Sequence, residues 1–329
     1  MDPKLYLTDP GIYKNSKGYH YHSNDKLVTD PKTLTRLNTF VVPPAWNSVW
    51  YASKPDCHIQ VHGIDQGGKK QYILSPQWVD SQTDSKFKRM KTFVRKIPAF
   101  KRLISLERPS DPEHSRSQWD FNNKQNLIFL LFNLLLDTHI RVGNEIYADN
   151  NKTYGLTTLR QKHLIPTTNG YRFSFVGKSN QKHQIDVPKR YQHVLSQFIT
   201  TKKNDPLFYY YQSSVKLKQL ISSEELNEYL KEYMGNEFTC KDIRTYSANL
   251  IFVNTFLKNV KKNNQMVTDS KVINKIVLIS INESAHQLGH TKTISKKNYI
   301  SNKLIDFILS SPEEATQSSS SSLLSKLWS

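Results

Sequence analysis

The hydrophobic period changes once along the chain, near Lys86, and that change limits the folds open to it. Up to about residue 80 the apolar residues come in short runs such as "TFVVPPAW", "SVWYAS", "HIQVHGI" and "KQYILSP", in a stretch rich in Pro, Gly, Tyr and Trp. Alternation of this kind marks strands, and the intervening breakers mark turns. From about Lys86 the apolar residues recur three or four apart, in "KFKRMKTFVRKI", "SSEELNEYLKEYM", "RTYSANLIFVNTFLKNV" and "SKVINKIVLISINESAHQL". That is the period of helices with one buried face. The predicted fold class is therefore α+β: a small β-dominated N-terminal unit over 1–84, a mostly α-helical unit over 85–312, and a low-complexity serine-rich end over 313–329. That end reads as a loose tail, in which Leu323, Leu324, Leu327 and Trp328 are available for docking.

Within the helical part the most apolar run is "LIFLLFNLLL", Leu127 to Leu136. It is interrupted by Asn133 and falls well short of the roughly 20 residues of a membrane span, so it is expected as a helix buried in a core. Ser222 and Glu225 have capping-box spacing, which predicts a helix start. One β interruption is expected, "YRFSFVG" and "KHQIDVP" around a polar turn, with Lys178 at the bend.

The chain has 329 residues, 37% of them hydrophobic, enough for two modest domains. Its 46 Lys and Arg against 28 Asp and Glu give a formal net charge of +18. Such a balance favours a polyanionic partner, nucleic acid first, with an anionic membrane or a ribosome-like assembly as the alternative. Two cysteines, Cys57 and Cys240, stand far apart without a pairing or zinc pattern, which suits a reducing compartment. The start "MDPKLYLTDPG" lacks a signal-peptide apolar core, so an intracellular, non-secreted protein is expected. The stretch "GIDQGGKK", Gly63 to Lys70, fits a phosphate-binding loop as far as Lys69, but Lys70 stands where Ser or Thr holds Mg²⁺. It also runs into a strand-like segment and not into a helix, so it reads as a β-hairpin turn built on Asp65, Gly67 and Gly68. No nucleotide and no cofactor are expected.

Four segments place a cation, a histidine or a tyrosine where an element ends: "THIRVGNEIY" with Arg141, "FVGKSNQKHQI" with Lys178, "CKDIRTY" with Lys241 and Arg244, and "LGHTKTISKKNYI" with His290 and Tyr299. Singly each has an ordinary reading. Arg141 before Gly143 suits a helix C-terminus, His290 after Gly289 a cap, Lys178 a solvated turn, and Tyr299 is one of 17 tyrosines. In order, however, they spell Arg, Lys, Lys-x-x-Arg, His, Tyr, and the chain resembles the type IB DNA topoisomerases of the short poxvirus and bacterial kind. The resemblance runs from about Thr39 to Ile308. It is carried by "VVPPAWNSVW" and "HIQVHGIDQGGKKQY" in the first part, and by "RVGNEIY", "YGLTTLR", "FVGKSN", "KDIRTY" and "GHTKTISKKNYI" in the second.

The resemblance implies a C-shaped clamp on double-stranded DNA, with supercoils of both signs relaxed through a transient 3′-phosphotyrosyl link, without ATP or metal. It assigns the nucleophile to Tyr299, whose phenol needs cations to become a competent phenolate. Arg141, Arg244 and His290 take the non-bridging oxygens, each contact contributing on the order of 3 kcal/mol. Lys178, assisted by Lys241, protonates the departing 5′-oxygen. Gln60, His62, Lys69, Lys70, Tyr72, Asn144 and Tyr147 become candidate DNA contacts. Asn144 matches the bacterial members where poxvirus members carry lysine, whereas "TKTISKKNY" after His290 is closer to the poxvirus form, so no preferred cleavage sequence is carried over.

A monomer is expected, since one chain offers the whole constellation. The richness in Lys, Asn and Ile and the mixture of features suggest a large DNA virus, with action in a virion or a cytoplasmic replication factory. Two alternatives stand beside the enzyme: a tyrosine recombinase, against which Lys241 and the β-rich N-terminal part argue, and a non-catalytic duplex DNA-binding protein.

Overall fold

Residues 8–106, 120–121, 123–212, 217–262 and 269–326 are described by the computed structural model, which divides between Lys86 and Phe87 into two units. Leu327 and Trp328 lie outside the described residues.

The first unit is a five-stranded antiparallel sheet made of β1 (Ile12–Asn15), β2 (Gly18–Tyr21), β3 (Asn47–Tyr51), β4 (Ile59–Ile64) and β5 (Lys70–Leu74). Their order in the sheet is β2-β1-β3-β4-β5. One helix, α1 (Pro31–Asn38), crosses it. Asp30 starts α1 by accepting from Thr33 N–H at 2.8 Å, with Pro31 at the first helical position, where its missing donor costs nothing. Leu37 of α1 is fully buried with Ile12, Tyr19, Val28, Tyr51 and Val61. The run "TFVVPPAW" is not a strand: Thr39 to Trp46 is irregular, Val41 is 88% exposed, and Pro43 and Pro44 supply no ladder donors.

The turn between β4 and β5 is built on Asp65. Its Oδ1 accepts from the N–H groups of Gly67 and Lys69, each at 2.9 Å, and its Oδ2 from Gln71 Nε2 at 2.7 Å. The amides that a phosphate loop would offer are thus consumed by the protein's own carboxylate.

Helix α2 (Pro76–Leu103) runs from the first unit into the second and begins ten residues before the expected shift at Lys86. The signal is local: Ser75 Oγ accepts from Trp78 N–H at 3.2 Å and Pro76 opens the helix, while the polar run that follows dilutes the helical period. The buried stripe then appears as Phe87, Met90, Phe93, Ile97 and Phe100. Helix α3 (Lys124–Thr138) buries residues all round, which explains its unbroken apolar sequence. After α4 (Glu145–Asn151) come β6 (Leu164–Thr167), β7 (Gly170–Gly177) and β8 (Gln181–Asp186), one antiparallel sheet in that order.

A short α5 (Gln192–Ser196) and the hairpin of β9 (Tyr210–Gln212) and β10 (Leu217–Gln219) lead to α6 (Ser223–Met234). Ser222 and Glu225 form the reciprocal capping box that their spacing predicts. The long helices α7 (Cys240–Lys262) and α8 (Ser270–Leu288) pack against each other, followed by α9 (Lys292–Asn298) and α10 (Asn302–Ser310). Phe93, Phe132, Phe173, Phe238, Phe252 and Phe256 are fully buried here, each contributing on the order of 2 kcal/mol by transfer from water.

The serine-rich end differs from the loose tail expected of it. It forms α11 (Pro312–Gln317) and α12 (Ser320–Lys326), and Ala315, Leu323 and Leu324 are buried in the same core. Two adjacent leucines on a short helix suffice to dock it against α7. No helix among the described residues is long and apolar enough to cross a membrane.

Candidate active site

The site is organised around a buried arginine. The first turn of α7 is fixed by Asp242, 2% exposed, which accepts from Thr239 N–H at 2.9 Å and pairs with Arg89 of α2 at 3.0 Å. Arg244, on the same turn, points inward and is 6% exposed. Its guanidinium donates to the carbonyl of His139 through Nη1, and through Nη2 to the carbonyl of Leu288 at 2.8 Å. Both carbonyls come from helix C-termini: His139, at φ 55°, caps α3, and Leu288 ends α8. The last carbonyls of a helix lack internal partners and carry its negative end, so two helices converge to hold one cation.

The remaining capacity of Arg244 goes to the chemistry-bearing side chains. Nη2 also donates to His290 Nε2 at 2.9 Å, and the side chain of Tyr299 lies near enough to the guanidinium to favour its charge. Burial, together with the nearby Arg141, lowers the Arg244 pKa to about 10, opposed by Tyr299. It remains a cation at neutral pH.

His290 and Tyr299 lie ring to ring, centroids 4.3 Å apart. Burial, then Arg244, Arg141 and His183, push the His290 pKa down to about 3, so the imidazole is neutral. Because Nε2 accepts, the ring proton sits on Nδ1, which is buried without a protein partner.

Tyr299 follows α9, whose first turn is capped by Thr291 Oγ1 accepting from Ile294 N–H at 3.2 Å. Asn249, fully buried on α7, holds the backbone immediately after the tyrosine at two points. Its Nδ2 donates to the Tyr299 carbonyl at 2.8 Å, and its Oδ1 accepts from Ser301 N–H at 3.0 Å.

Arg141 enters on an extended segment between α3 and α4. Its carbonyl accepts from Leu156 N–H at 2.8 Å, and that of Val142 from Thr157 N–H at 2.7 Å. Gly143 has φ +115°, and a Cβ on Gly155 would lie 2.6 Å from the Arg141 carbonyl oxygen. The two chains cross too closely for any side chain, which accounts for glycine in both "RVGN" and "YGLT".

Of the residues singled out by sequence, then, Arg141, Arg244, His290 and Tyr299 are gathered. Lys178 and Lys241 are exposed at the margin: Lys178 in the turn after β7, with Ser179 and Asn180 both at φ near +60°, and Lys241 one helical turn before Arg244. No contact among the described residues ties either to the cluster.

The candidate contacts of the first unit divide. Gln60 does not face outward: it is 3% exposed, accepts from Arg36 Nη1 at 2.7 Å and donates to the carbonyls of Cys57 and Pro55. This speaks against the expectation of a DNA contact at Gln60, because Arg36 of α1 and two backbone carbonyls occupy its amide. His62 is half-buried and stacks on Trp50 at 5.0 Å, while Tyr72, its cross-strand partner, is exposed with Lys70 over its ring at 5.8 Å. Lys69 is exposed in the hairpin turn. In the second unit Asn144 caps α4 through Ile146 N–H at 3.0 Å, and Tyr147 is 48% exposed on that helix.

Sequence reasoning passed over Asp242, Asn249 and His183. The signal for Asn249 was present, a polar residue five positions after Arg244 on the apolar face of an amphipathic helix, but many such residues are solvated.

Comparison with known proteins adds the following. The catalytic-core profile described as eukaryotic DNA topoisomerase I matches residues 78–319, and that of the bacterial DNA topoisomerase IB N-terminal domain matches residues 18–65. The chain is 32% identical over 310 residues to a DNA topoisomerase 1B of Acanthamoeba polyphaga mimivirus, covering 92% of this chain and 89% of the relative. It is 26% identical over 246 residues to that of Vaccinia virus (strain Copenhagen), covering 75% and 71%. With the DNA topoisomerase 1 of Mycosarcoma maydis it shares 21% over 254 residues, 69% of this chain and 24% of the relative.

Proposed function

Because the chain belongs to the type IB DNA topoisomerase family, we propose that it relaxes positive and negative supercoils through a single-strand break held as a 3′-phosphotyrosine at Tyr299, without ATP or metal. The observation that carries the reading is the anchored, buried guanidinium of Arg244 holding His290, whose ring lies against that of Tyr299.

The chemistry follows from that arrangement. The phenol of Tyr299 gives up its proton to water beside a cation, and its oxygen attacks the phosphorus in line with the departing 5′-oxygen. Charge building on the non-bridging oxygens is met by Arg244 and Arg141. A phosphate oxygen is a stronger acceptor than imidazole, so it draws the Arg244 donor away from His290 Nε2, and once the ring proton moves from Nδ1 to that nitrogen His290 becomes the further donor. Carbonyls of two helix ends hold Arg244 before DNA arrives, so little reorganisation is left for the transition state. Lys178, assisted by Lys241, protonates the leaving 5′-oxygen. Religation is the same path reversed, and the ester bond is conserved in the phosphotyrosine, so no nucleotide is consumed.

On this reading one chain acts as a monomer on duplex DNA, and the recombinase and binding-only alternatives are set aside. The viral relatives support a viral origin and action inside an infected cell. The test is plasmid relaxation in EDTA without ATP, on substrates of each supercoiling sign, beside Tyr299→Phe. Relaxation of both by the wild type and of neither by the variant is expected, with protein trapped on a 3′ end by denaturant. A wild type that binds DNA yet leaves both plasmids supercoiled would overturn the mechanism.

A further inference from the structure

Two of the site's residues are each preceded by a glycine: Gly177 before Lys178, and Gly289 before His290. The imidazole of His183 lies between those glycines. A Cβ placed on Gly177 would come within 2.8 Å of His183 Cδ2 and Nε2, and one placed on Gly289 would collide with His183 Cε1. The ring therefore touches backbone on both sides, with no room for a side chain on either. His183 belongs to β8, opposite Phe175 of β7 in the register, and stacks flat on that ring at 4.9 Å and 15°. Phe175, Gly177 and His183 share one face of the hairpin, and Lys178 is rooted at its end.

We propose that His183 is a positioning residue, a flat spacer that sets the Lys178 hairpin against the Gly289–His290 turn so that both residues address one phosphodiester. The inference rests on the reading of Lys178 as the acid for the leaving oxygen. Stacking on Phe175 fixes the plane of the ring, and contact with two glycine backbones makes the spacing that of one imidazole ring. Displacing either partner by an ångström costs heavily in a reaction that depends on alignment. The spacer also adds no charge: burial, Arg141 and Arg244 lower the His183 pKa to about 4, so the ring that lies against the Gly289–His290 turn is neutral.

The experiment compares single-turnover cleavage of a duplex carrying the ordinary 5′-oxygen at the scissile link with one carrying a 5′-bridging sulphur. With sulphur the P–S bond breaks and a thiolate departs without needing a proton, so a defect in acid delivery disappears. His183→Ala is expected to slow cleavage of the oxygen substrate about 10- to 100-fold, part of what a general acid supplies, and to cleave the sulphur substrate at close to the wild-type rate. His183→Phe, which keeps the flat ring and loses both nitrogens, should stay close to wild type on both. Gly177→Ala, which pushes on the ring while leaving it in place, should reproduce the sulphur-rescued defect if the alanine variant at 183 does not fold.

An unimpaired His183→Ala, an equal loss on both substrates, or a His183→Phe as slow as His183→Ala would overturn the proposal. Lys178→Ala separates the two possible failures. If it is rescued by sulphur while His183→Ala is not, the spacer alone fails; if Lys178→Ala is not rescued, the acid assignment fails and the spacer with it.

Discussion

Arg244 survives burial because its two terminal nitrogens end on the carbonyls of His139 and Leu288 and on His290 Nε2, and the cost of desolvating a cation is offset only by such acceptors. Its type and place were legible from the order Arg, Lys, Lys-x-x-Arg, His, Tyr. Asn249 was not: on α7 it looks like any polar residue of an amphipathic helix, and only the fold shows the segment around Tyr299 lying against it. Asn249→Ala removes both anchors of the nucleophile's backbone, a loss of about 1–3 kcal/mol for partners left unpaired. Cleavage should slow roughly 10- to 100-fold, with DNA affinity unchanged, in single-turnover and gel-shift assays; equal losses in both would show general damage instead. Gln60 went the other way. Alternation along β4 places it with His62, and the local pattern contains nothing of Arg36, which arrives from 24 residues earlier.

At the scale of elements, local chemistry performed well where the signal was a terminus. The capping box at Ser222, the Asp65 turn and the hairpin bend at Lys178 all depend on residues within a few positions of each other. The serine-rich end was misjudged because composition averages over a segment while docking depends on one or two side chains. Leu323 is fully buried, so Leu323→Ala should lower stability by about 2 kcal/mol or more, and truncation after Ser311 should lower it further. Urea unfolding measures both, and an unchanged midpoint would restore the loose tail.

Across the whole molecule, charge sets the response to salt and acid. With a net charge of +18, duplex affinity should fall steeply with salt, log K losing roughly 0.9 per phosphate contact per decade; a slope near zero would contradict a backbone-tracking mode. Acid acts through the fold. Burial lowers the pKa of His139, His163 and His183 to about 4 and of His290 to about 3, helped in each case by neighbouring cations. An unfolded histidine binds its proton near ~6.5. Between that value and about 4 the unfolded chain therefore holds more protons than the folded one, and falling pH favours unfolding. Melting of the DNA-free protein should shift downward from pH 7 to pH 4.5, and a flat profile would mean that these rings take up protons without loosening the fold.

What the sequence determined by itself was the elements whose ends carry a local signal, the change of period that separates the first sheet from the helices, and the order of the reactive side chains. Those are properties of a few neighbouring residues, set by backbone sterics, turn chemistry and the spacing of apolar side chains. Tertiary structure decided which cation was buried, which glycines had to be glycines, and which polar residues hold the tyrosine in place. Arg244 finds its acceptors at His139 and Leu288, 105 and 44 residues away. No local rule reaches that far, because a buried donor is satisfied only by whatever the packing of the core delivers to it.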